Sequence, residues 1–111
     1  MPNQSTHLDQ VFQALADPTR RAVVQRLASG PAGVSELAQP FPMALPSFTQ
    51  HLAVLEKSGL VHSRKQGRVR TYWLAPEPLE PAARWLTQQR EQWERRLDQL
   101  DSYLSELKEQ H

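Results

Sequence analysis

The chain has 111 residues, 39% hydrophobic and 23% charged, which predicts one globular domain with a modest core and argues against a fully disordered chain. Cysteine is absent, which excludes disulfide bonds, thiolate metal sites and thiol catalysis. The formal net charge is +1, yet residues 18–76 carry eight Lys or Arg and two acidic residues, whereas residues 77–111 carry five basic and eight acidic residues. A basic middle with acidic ends predicts a polyanionic partner for the middle, although a solvated basic face would look the same.

Nothing in the chain predicts membrane insertion or export. No run of about 18 apolar residues is present. The first residues, "MPNQSTHLDQ", lack the basic and apolar segments of a secretory signal. We therefore expect a cytoplasmic protein with no membrane partner.

Three short helices are predicted in the first 40 residues. An apolar stripe with helical spacing begins at Leu8 and continues through Val11, Phe12 and Leu15. Asp17 is then suited to cap a second helix, with Pro18 in its first position, where no N–H is needed. A third helix, "VSELA", follows the "SGPAG" break.

A fourth helix, residues 45–58, follows the proline-rich turn "QPFPMALP". Its apolar face is predicted to consist of Leu45, Phe48, Leu52 and Leu55. Gly59 suits the left-handed residue that ends a helix. The segments "LVHSRK", "QGR" and "VRTYWLA" then predict a strand, a tight turn and a second strand.

After the junction "PEPLEP", a long helix carries apolar residues at alternating steps of four and three residues. This heptad stripe predicts a dimer interface, and Arg90 is its one interruption. Its members are Leu79, Ala83, Leu86, Trp93, Leu97, Leu100, Leu104 and Leu107.

The predicted fold class is mainly α with a two-stranded β-hairpin, a winged helix-turn-helix with a long C-terminal dimerisation helix. In such folds the helix before the hairpin is the one sized to enter a DNA major groove. Its short polar residues Ser47, Thr49 and Gln50 are suited to reading base edges, although the solvent side of any amphipathic helix looks similar.

The hairpin "RKQGRVR" crowds basic side chains around a glycine turn, which favours contact with an anion. Such residues are predicted to contact the DNA backbone or minor groove and to set affinity and salt dependence. They are Arg64, Lys65, Arg68 and Arg70 in the hairpin, with Lys57 at the end of the fourth helix.

Four segments, "FQALADPTRRAVVQRL", "SELA", "HLAVLEKSGLV" and "GRVRTYWL", resemble the ArsR/SmtB-type winged-helix repressors of bacteria. The resemblance covers about residues 8–107 and is greatest to a metal-independent subgroup. It implies a homodimeric repressor, with the first and last helices at the dimer interface. It also implies that Ser47, Thr49, Gln50 and His51 occupy recognition-helix positions and that Arg68 and Arg70 occupy wing positions. His51 is expected to steady a DNA phosphate or the helix pair.

Two positions depart from the family pattern. The residue before the recognition helix is usually serine, whereas this chain has Ala44 and so loses a cap typically worth roughly 0.5–2 kcal/mol. The residue before His51 is usually Lys or Arg, whereas this chain has Gln50.

No metal, cofactor or catalytic site is predicted. The third helix has no cysteine pair, and the four histidines are scattered without ligand spacing. Motifs for phosphate loops, zinc proteases and nucleophile elbows are also missing. A small-molecule pocket lined by Phe12, Trp85 and Trp93 remains an alternative to their burial in a dimer interface, so an unknown small-molecule or protein effector is left open.

The sequence therefore predicts a dimeric, sequence-specific repressor that binds a palindromic double-stranded DNA operator without metal or thiol sensing. The alternative is a dimeric protein-interaction module that uses its last helix and has a vestigial DNA-binding domain. The predicted organisation is a flexible N-terminus (1–7), a DNA-binding domain with an N-terminal dimerisation helix (8–76) and a C-terminal dimerisation helix (77–108). The predicted dimer interface comprises Leu8, Val11, Phe12, Leu86, Trp93, Leu97, Leu100 and Leu104.

Overall fold

The computed structural model describes residues 4–110, and their order of elements is the predicted one with a short strand added. The helices are α1 (Gln4–Leu15), α2 (Pro18–Leu27), α3 (Val34–Ala38), α4 (Leu45–Lys57) and α5 (Leu79–Glu109), and the strands are β1 (Ala32–Gly33), β2 (Val61–Gln66) and β3 (Val69–Leu74). Helix α1 begins before the apolar stripe does, so residues 4–7, predicted as part of a flexible terminus, are helical. Residues 1–3 lie outside the described residues.

The sheet has three antiparallel strands in the order β1-β3-β2, where the sequence predicted only a two-stranded hairpin. The extra strand pairs Ala32 with Tyr72 and Gly33 with Thr71. Two residues are too few to show the alternation that identifies a strand, and "GPAG" has the composition of a turn. The pairing of β1 with β3 fixes the start of α3 to the middle of β3.

The core lies between the first four helices and the base of the sheet. Apolar residues from all the helices and strands meet there. No buried side-chain nitrogen or oxygen within the described residues lacks a hydrogen-bond partner. Fully or nearly fully buried members are Val11, Ala14, Val23, Leu27, Ala32, Leu37, Phe48, Leu52, Leu55, Leu60, Val61, Tyr72 and Ala82.

The predicted apolar face of α4 is correct except at its first residue. Phe48, Leu52 and Leu55 are buried, whereas Leu45 is 54% exposed. Leu45 occupies the first turn, which projects past the edge of the core. Phe41 from the preceding loop covers the core there instead, because its ring stacks on Phe48 at 5.4 Å.

Helix α5 has 31 residues and spans about 46 Å, but only its first turns touch the rest of the chain. Ala82 is buried and Leu79 packs against the core. The helix then continues away from the domain, which gives the molecule dimensions of 76 × 36 × 23 Å. No helix within residues 4–110 combines the length and the apolar character needed to cross a bilayer.

Candidate nucleic-acid interface

Helix α4 begins without a side-chain cap, as the sequence predicted. Ala44 holds the N-cap position with φ −63° and ψ 144°, and it offers the helix only its carbonyl oxygen, which accepts from the Phe48 N–H at 3.1 Å. Pro46 has no N–H and so reduces the number of donors that a cap would need to satisfy. The burial of Phe48, one turn into the helix, anchors this end to the core.

The three predicted base-reading residues, Ser47, Thr49 and Gln50, are all exposed on the outer surface of α4. Their hydrogen-bonding capacities differ. The Thr49 hydroxyl donates to the Pro46 carbonyl at 3.0 Å, so its hydrogen is already used within the helix. Only the lone pairs and the methyl group of Thr49 are left to contact a partner. Ser47 and Gln50 therefore have the more versatile groups for reading bases.

The end of α4 directs the chain into the hairpin. The buried Ser58 hydroxyl donates to the Leu55 carbonyl at 2.7 Å and accepts from the Leu60 N–H at 3.2 Å. Gly59 has φ +82°, and a Cβ added there would lie 3.3 Å from the Pro78 side chain. The predicted glycine termination is confirmed, and it sets the angle at which β2 leaves the helix.

The hairpin turn is built on Gly67, which has φ +63° as the first of two loop residues, whereas Arg68 has no positive φ. This combination is that of a type II′ turn, which matches the twist of the flanking strands. Arg68 therefore sits at the tip of the wing, defined here as β2, the turn and β3. It is exposed, as the sequence predicted.

The other three basic residues of the wing lie on different faces. Cross-strand partners share a face, and Lys65 is paired with Arg70 on the same face as Ser63 and Tyr72, which point toward the core and α4. Arg64 lies on the opposite face. The structure thus brings Lys65 and Arg70 to the side of the wing that faces α4 and does not bring Arg64 there.

A chain of hydrogen bonds joins the wing to α4, and two of its members, Glu56 and Ser63, were not predicted from the sequence. Arg70 donates through Nη1 to the Ser63 hydroxyl at 2.8 Å, and that hydroxyl donates to Glu56 Oε2 at 3.0 Å. Burial, followed by the Glu56 charge, raises the pKa of the neighbouring Tyr72. Ser63 is a polar residue at a position of β2 that faces inward, and this was the one sequence signal that could have identified it.

His51 is turned toward the protein, with 22% of its side chain exposed. Its Nδ1 lies 3.0 Å from Nη1 of Arg20 on α2 and 3.7 Å from Asp17 Oδ2. Of the two roles expected for His51, the one that the structure shows is contact between helices. Its predicted role at a DNA phosphate stays a prediction.

Asp17 is the predicted N-cap of α2, and its Oδ2 accepts from the Arg20 N–H at 3.1 Å. Burial by itself would raise the pKa of this carboxyl. The Arg20 N–H, the His51 side chain and the Arg20 guanidinium outweigh burial and lower the pKa below its ordinary value.

Four of the eight basic residues in the middle of the chain engage protein groups, and one of them is Arg70, which donates to the Ser63 hydroxyl. Arg20 donates to two carbonyls at the end of α1, Arg21 donates to the Leu15 carbonyl at 2.8 Å, and Arg26 lies 3.5 Å from Glu36. The exposed residues Lys57, Arg64, Lys65 and Arg68 form no ion pair within residues 4–110. The basic side chains that remain available to bind an anion therefore lie on the wing and at the end of α4.

The predicted dimer residues divide into three groups by their exposure. Val11 is only 1% exposed and belongs to the core of the single chain, so its assignment to the dimer interface is wrong. Leu8 and Phe12 are partly buried, and the Phe12 ring meets Trp85 edge to face at 5.6 Å. The α5 residues are largely exposed, and they are Leu86, Trp93, Leu97, Leu100 and Leu104.

The alternative effector pocket is not assembled in one chain. Phe12 and Trp85 are in contact, but Trp93 lies eight residues, or about 12 Å, further along α5 and is 65% exposed. In the part of the chain that the structure describes, no three His, Asp or Glu side chains form a group able to hold a metal ion.

Comparison with known proteins identifies the family. A family model described as a helix-turn-helix domain matches residues 15–64. The HTH-type transcriptional regulator Rv2034 of Mycobacterium tuberculosis is 51% identical over 71 residues, which span 64% of this chain and 66% of that protein. The arsenical resistance operon repressor of Escherichia coli K12 is 40% identical over 68 residues, 60% of this chain and 58% of that protein. The chain thus spans about two thirds or less of these two relatives.

The fold agrees over a longer stretch. A crystal structure of an ArsR family transcriptional regulator is 55% identical and superimposes with a TM-score of 0.78, covering 85% of this chain and 97% of that one. The chain belongs to the ArsR/SmtB family of winged helix-turn-helix, DNA-binding transcriptional regulators.

Proposed function

We propose that this chain is a dimeric transcriptional repressor that binds an imperfect palindrome in double-stranded DNA. The observation that carries the proposal is the position of the wing beside α4. The exposed polar residues Ser47 and Gln50 lie on a helix whose end is tied to the wing through Glu56, Ser63 and Arg70. One rigid unit therefore presents both a base-reading helix and a cationic hairpin.

The two parts of this unit have different tasks. Gln50 is suited to bidentate pairing with adenine, while Ser47 can donate to or accept from several bases. Thr49 acts as an acceptor and through its methyl group, because its hydroxyl hydrogen is already engaged. Lys57, Lys65, Arg68 and Arg70 contact phosphates or the minor groove and so contribute affinity without sequence choice, and Arg64 contributes from the other face of the wing.

The exposed stripe of α5 supports the dimer. Leucine and tryptophan side chains that are 51–65% exposed at Trp93, Leu97 and Leu100 line one side of a helix that its own domain leaves uncovered. A second copy would bury them as a helix pair, with Leu8 and Phe12 at the edge of the same surface. Two recognition helices held in this way would enter successive major grooves about 34–36 Å apart.

We also propose that repression is controlled without a metal or a thiol, and that the protein acts in the cytoplasm, where its DNA partner lies. The chain has no cysteine, and its four histidines are at positions 7, 51, 62 and 111. The name of the Escherichia coli relative refers to arsenicals, whose binding by proteins favours soft thiolate ligands that this chain lacks. No catalytic step forms part of the proposal. A protein or small-molecule effector at the α5 surface is compatible with it.

Selection of bound duplexes from a random-sequence library, followed by light scattering of the complex, tests the proposal. We expect an enriched palindrome with half-sites about one helical turn apart and two chains per duplex. A matched selection with a K65E/R68E variant should enrich nothing at the same salt concentration. Enrichment of an asymmetric site by one chain, or no enrichment by the wild type, would contradict the proposal.

A further inference from the structure

Arg20 lies at the point where α1, α2 and α4 meet. Its Nε donates to the Ala14 carbonyl at 2.8 Å and its Nη2 to the Gln13 carbonyl at 2.9 Å, both at the end of α1. Its Nη1 lies 3.0 Å from His51 Nδ1 on α4. All three nitrogens of one guanidinium thus join the proposed dimerisation helix to the recognition helix.

The contact with Arg20 determines where the proton of His51 lies. A guanidinium can only donate, so Nδ1 must accept, and the proton of the neutral ring is then on Nε2. The Asp17 carboxylate, 3.7 Å away, would favour the opposite state with a proton on Nδ1. The Arg20 contact is the shorter, and Asp17 Oδ2 already accepts from the Arg20 N–H. Within residues 4–110, Asp17 and Arg20 are the charged groups that lie within 4 Å of this ring.

We infer that Arg20 is a positioning residue for DNA binding and that it acts through His51. Arg20 holds the imidazole as the Nε2–H tautomer, so that the partly exposed ring, directly after Gln50, can donate to a DNA phosphate. The same contact fixes α4 against the end of α1. The inference rests on the proposed function, because it takes α4 to be the helix that meets DNA.

The neighbouring arginine separates this role from simple helix capping. Arg21 also donates to a carbonyl at the end of α1, that of Leu15 at 2.8 Å, but His51 hydrogen-bonds to Arg20 instead. Both arginines oppose the partial negative charge at the end of α1. If capping alone mattered, loss of either guanidinium would have the same effect on DNA binding.

The test compares R20K with the matched control R21K on a duplex enriched by the wild-type chain. Lysine keeps the charge but has one nitrogen where arginine has three, so it cannot reach His51 and both α1 carbonyls together. R20K should therefore weaken binding about tenfold, the equivalent of one hydrogen bond to a charged group. R21K should stay within about twofold of the wild type, as expected for a surface substitution. In an H51A background, R20K should cause no further loss, because Arg20 reaches α4 through that ring.

The 15N shifts of the His51 ring in the wild-type chain provide a readout that needs no variant. They should show a protonated Nε2 and an unprotonated Nδ1 at neutral pH. A proton on Nδ1, unchanged binding by R20K, an equal loss in R21K, or a full R20K effect in the H51A background would each overturn the inference. Failure of the wild type to bind any duplex would instead overturn the proposed function and leave the tautomer measurement standing.

Discussion

Asp17 shows how one side chain can serve two helices. Its carboxylate caps α2 and lies beside the Arg20–His51 contact that leads to α4. The pKa of this carboxyl is lowered in the folded chain, where the Arg20 N–H and nearby side chains outweigh burial. A lowered pKa means that the charged carboxylate stabilises the fold above the pKa of the unfolded chain, and that this contribution is lost as the pH falls through the folded value.

We expect D17A to reduce the free energy of unfolding by about 1 kcal/mol at neutral pH, the usual cost of losing an N-cap. The difference between D17A and the wild type should shrink below about pH 4, where the unfolded carboxyl protonates. Urea unfolding at several pH values measures this directly. D17N is the matched control, since asparagine caps as well as aspartate. A difference that is constant from neutral to acid pH would contradict the assignment.

Gln50 and Arg68 should respond differently to truncation because one is proposed to read bases and the other phosphates. Q50A should change the preference between duplexes that differ by single base pairs, by about 1–3 kcal/mol at the affected position. R68A should weaken binding to all duplexes alike and reduce the salt slope by about one. Fluorescence anisotropy on a panel of duplexes at several salt concentrations distinguishes them. Equal behaviour of the two variants would refute this division of tasks.

At the scale of elements, α5 has an unusual position in the fold. It carries the strongest periodic pattern in the sequence, yet beyond its first turns it contributes nothing to the core of its own chain. Arg90, which interrupts the stripe, pairs with Glu94 at 3.0 Å on the same helix. An exposed apolar stripe of this kind is typical of a surface that binds another protein surface.

An L97D/L100D variant should therefore be monomeric by light scattering while its near-neighbour Q99D, which adds a charge off the stripe, stays dimeric. Neither Leu97 nor Leu100 contacts the core. The variant should therefore still unfold in one thermal transition, with its Tm lowered only by the stability that dimerisation contributes. A monomeric wild type, or a dimer that survives both aspartates, would show that this surface has a different partner.

How well the sequence predicted each element depended on whether its determinants were local. The cap at Asp17, the glycine stop at Gly59 and the helical periodicity of α5 are local, and the predicted cap, helix end and helix agree with the structure. Strand β1 was missed because its two residues are extended only through pairing with β3. Val11 was misassigned because periodicity shows which face is apolar but does not reveal whether that face meets its own core or a second chain.

The same limit applies to the site. Exposure of Ser47 and Gln50 followed from the helical pattern and was predicted. The contacts of Arg20 with His51, 31 residues apart, and of Ser63 with Glu56 required the packing of separate elements. From composition alone, Arg20 was one of the basic residues expected to be available to DNA. In the structure its guanidinium hydrogen-bonds to groups of the protein.

At the scale of the whole molecule, the chain has two parts that differ in shape and charge. A compact domain presents α4 and the wing, and a helix of about 46 Å extends from it with an exposed apolar stripe. The net basic charge is in the first part and the net acidic charge in the second. This separation suits a protein that binds DNA with one part and a second copy with the other, because the acidic helix is repelled from the duplex.

The most direct test of this account is the affinity of the full chain for duplex DNA, measured across salt concentrations beside an R64E/R68E variant. We predict that the wild type binds at low salt, that its affinity falls steeply as salt rises, and that the two reversals weaken binding by at least about tenfold with a smaller salt slope. Wild-type binding that is absent at low salt, or unchanged by the two reversals, would contradict the account and favour a protein-interaction module built on α5.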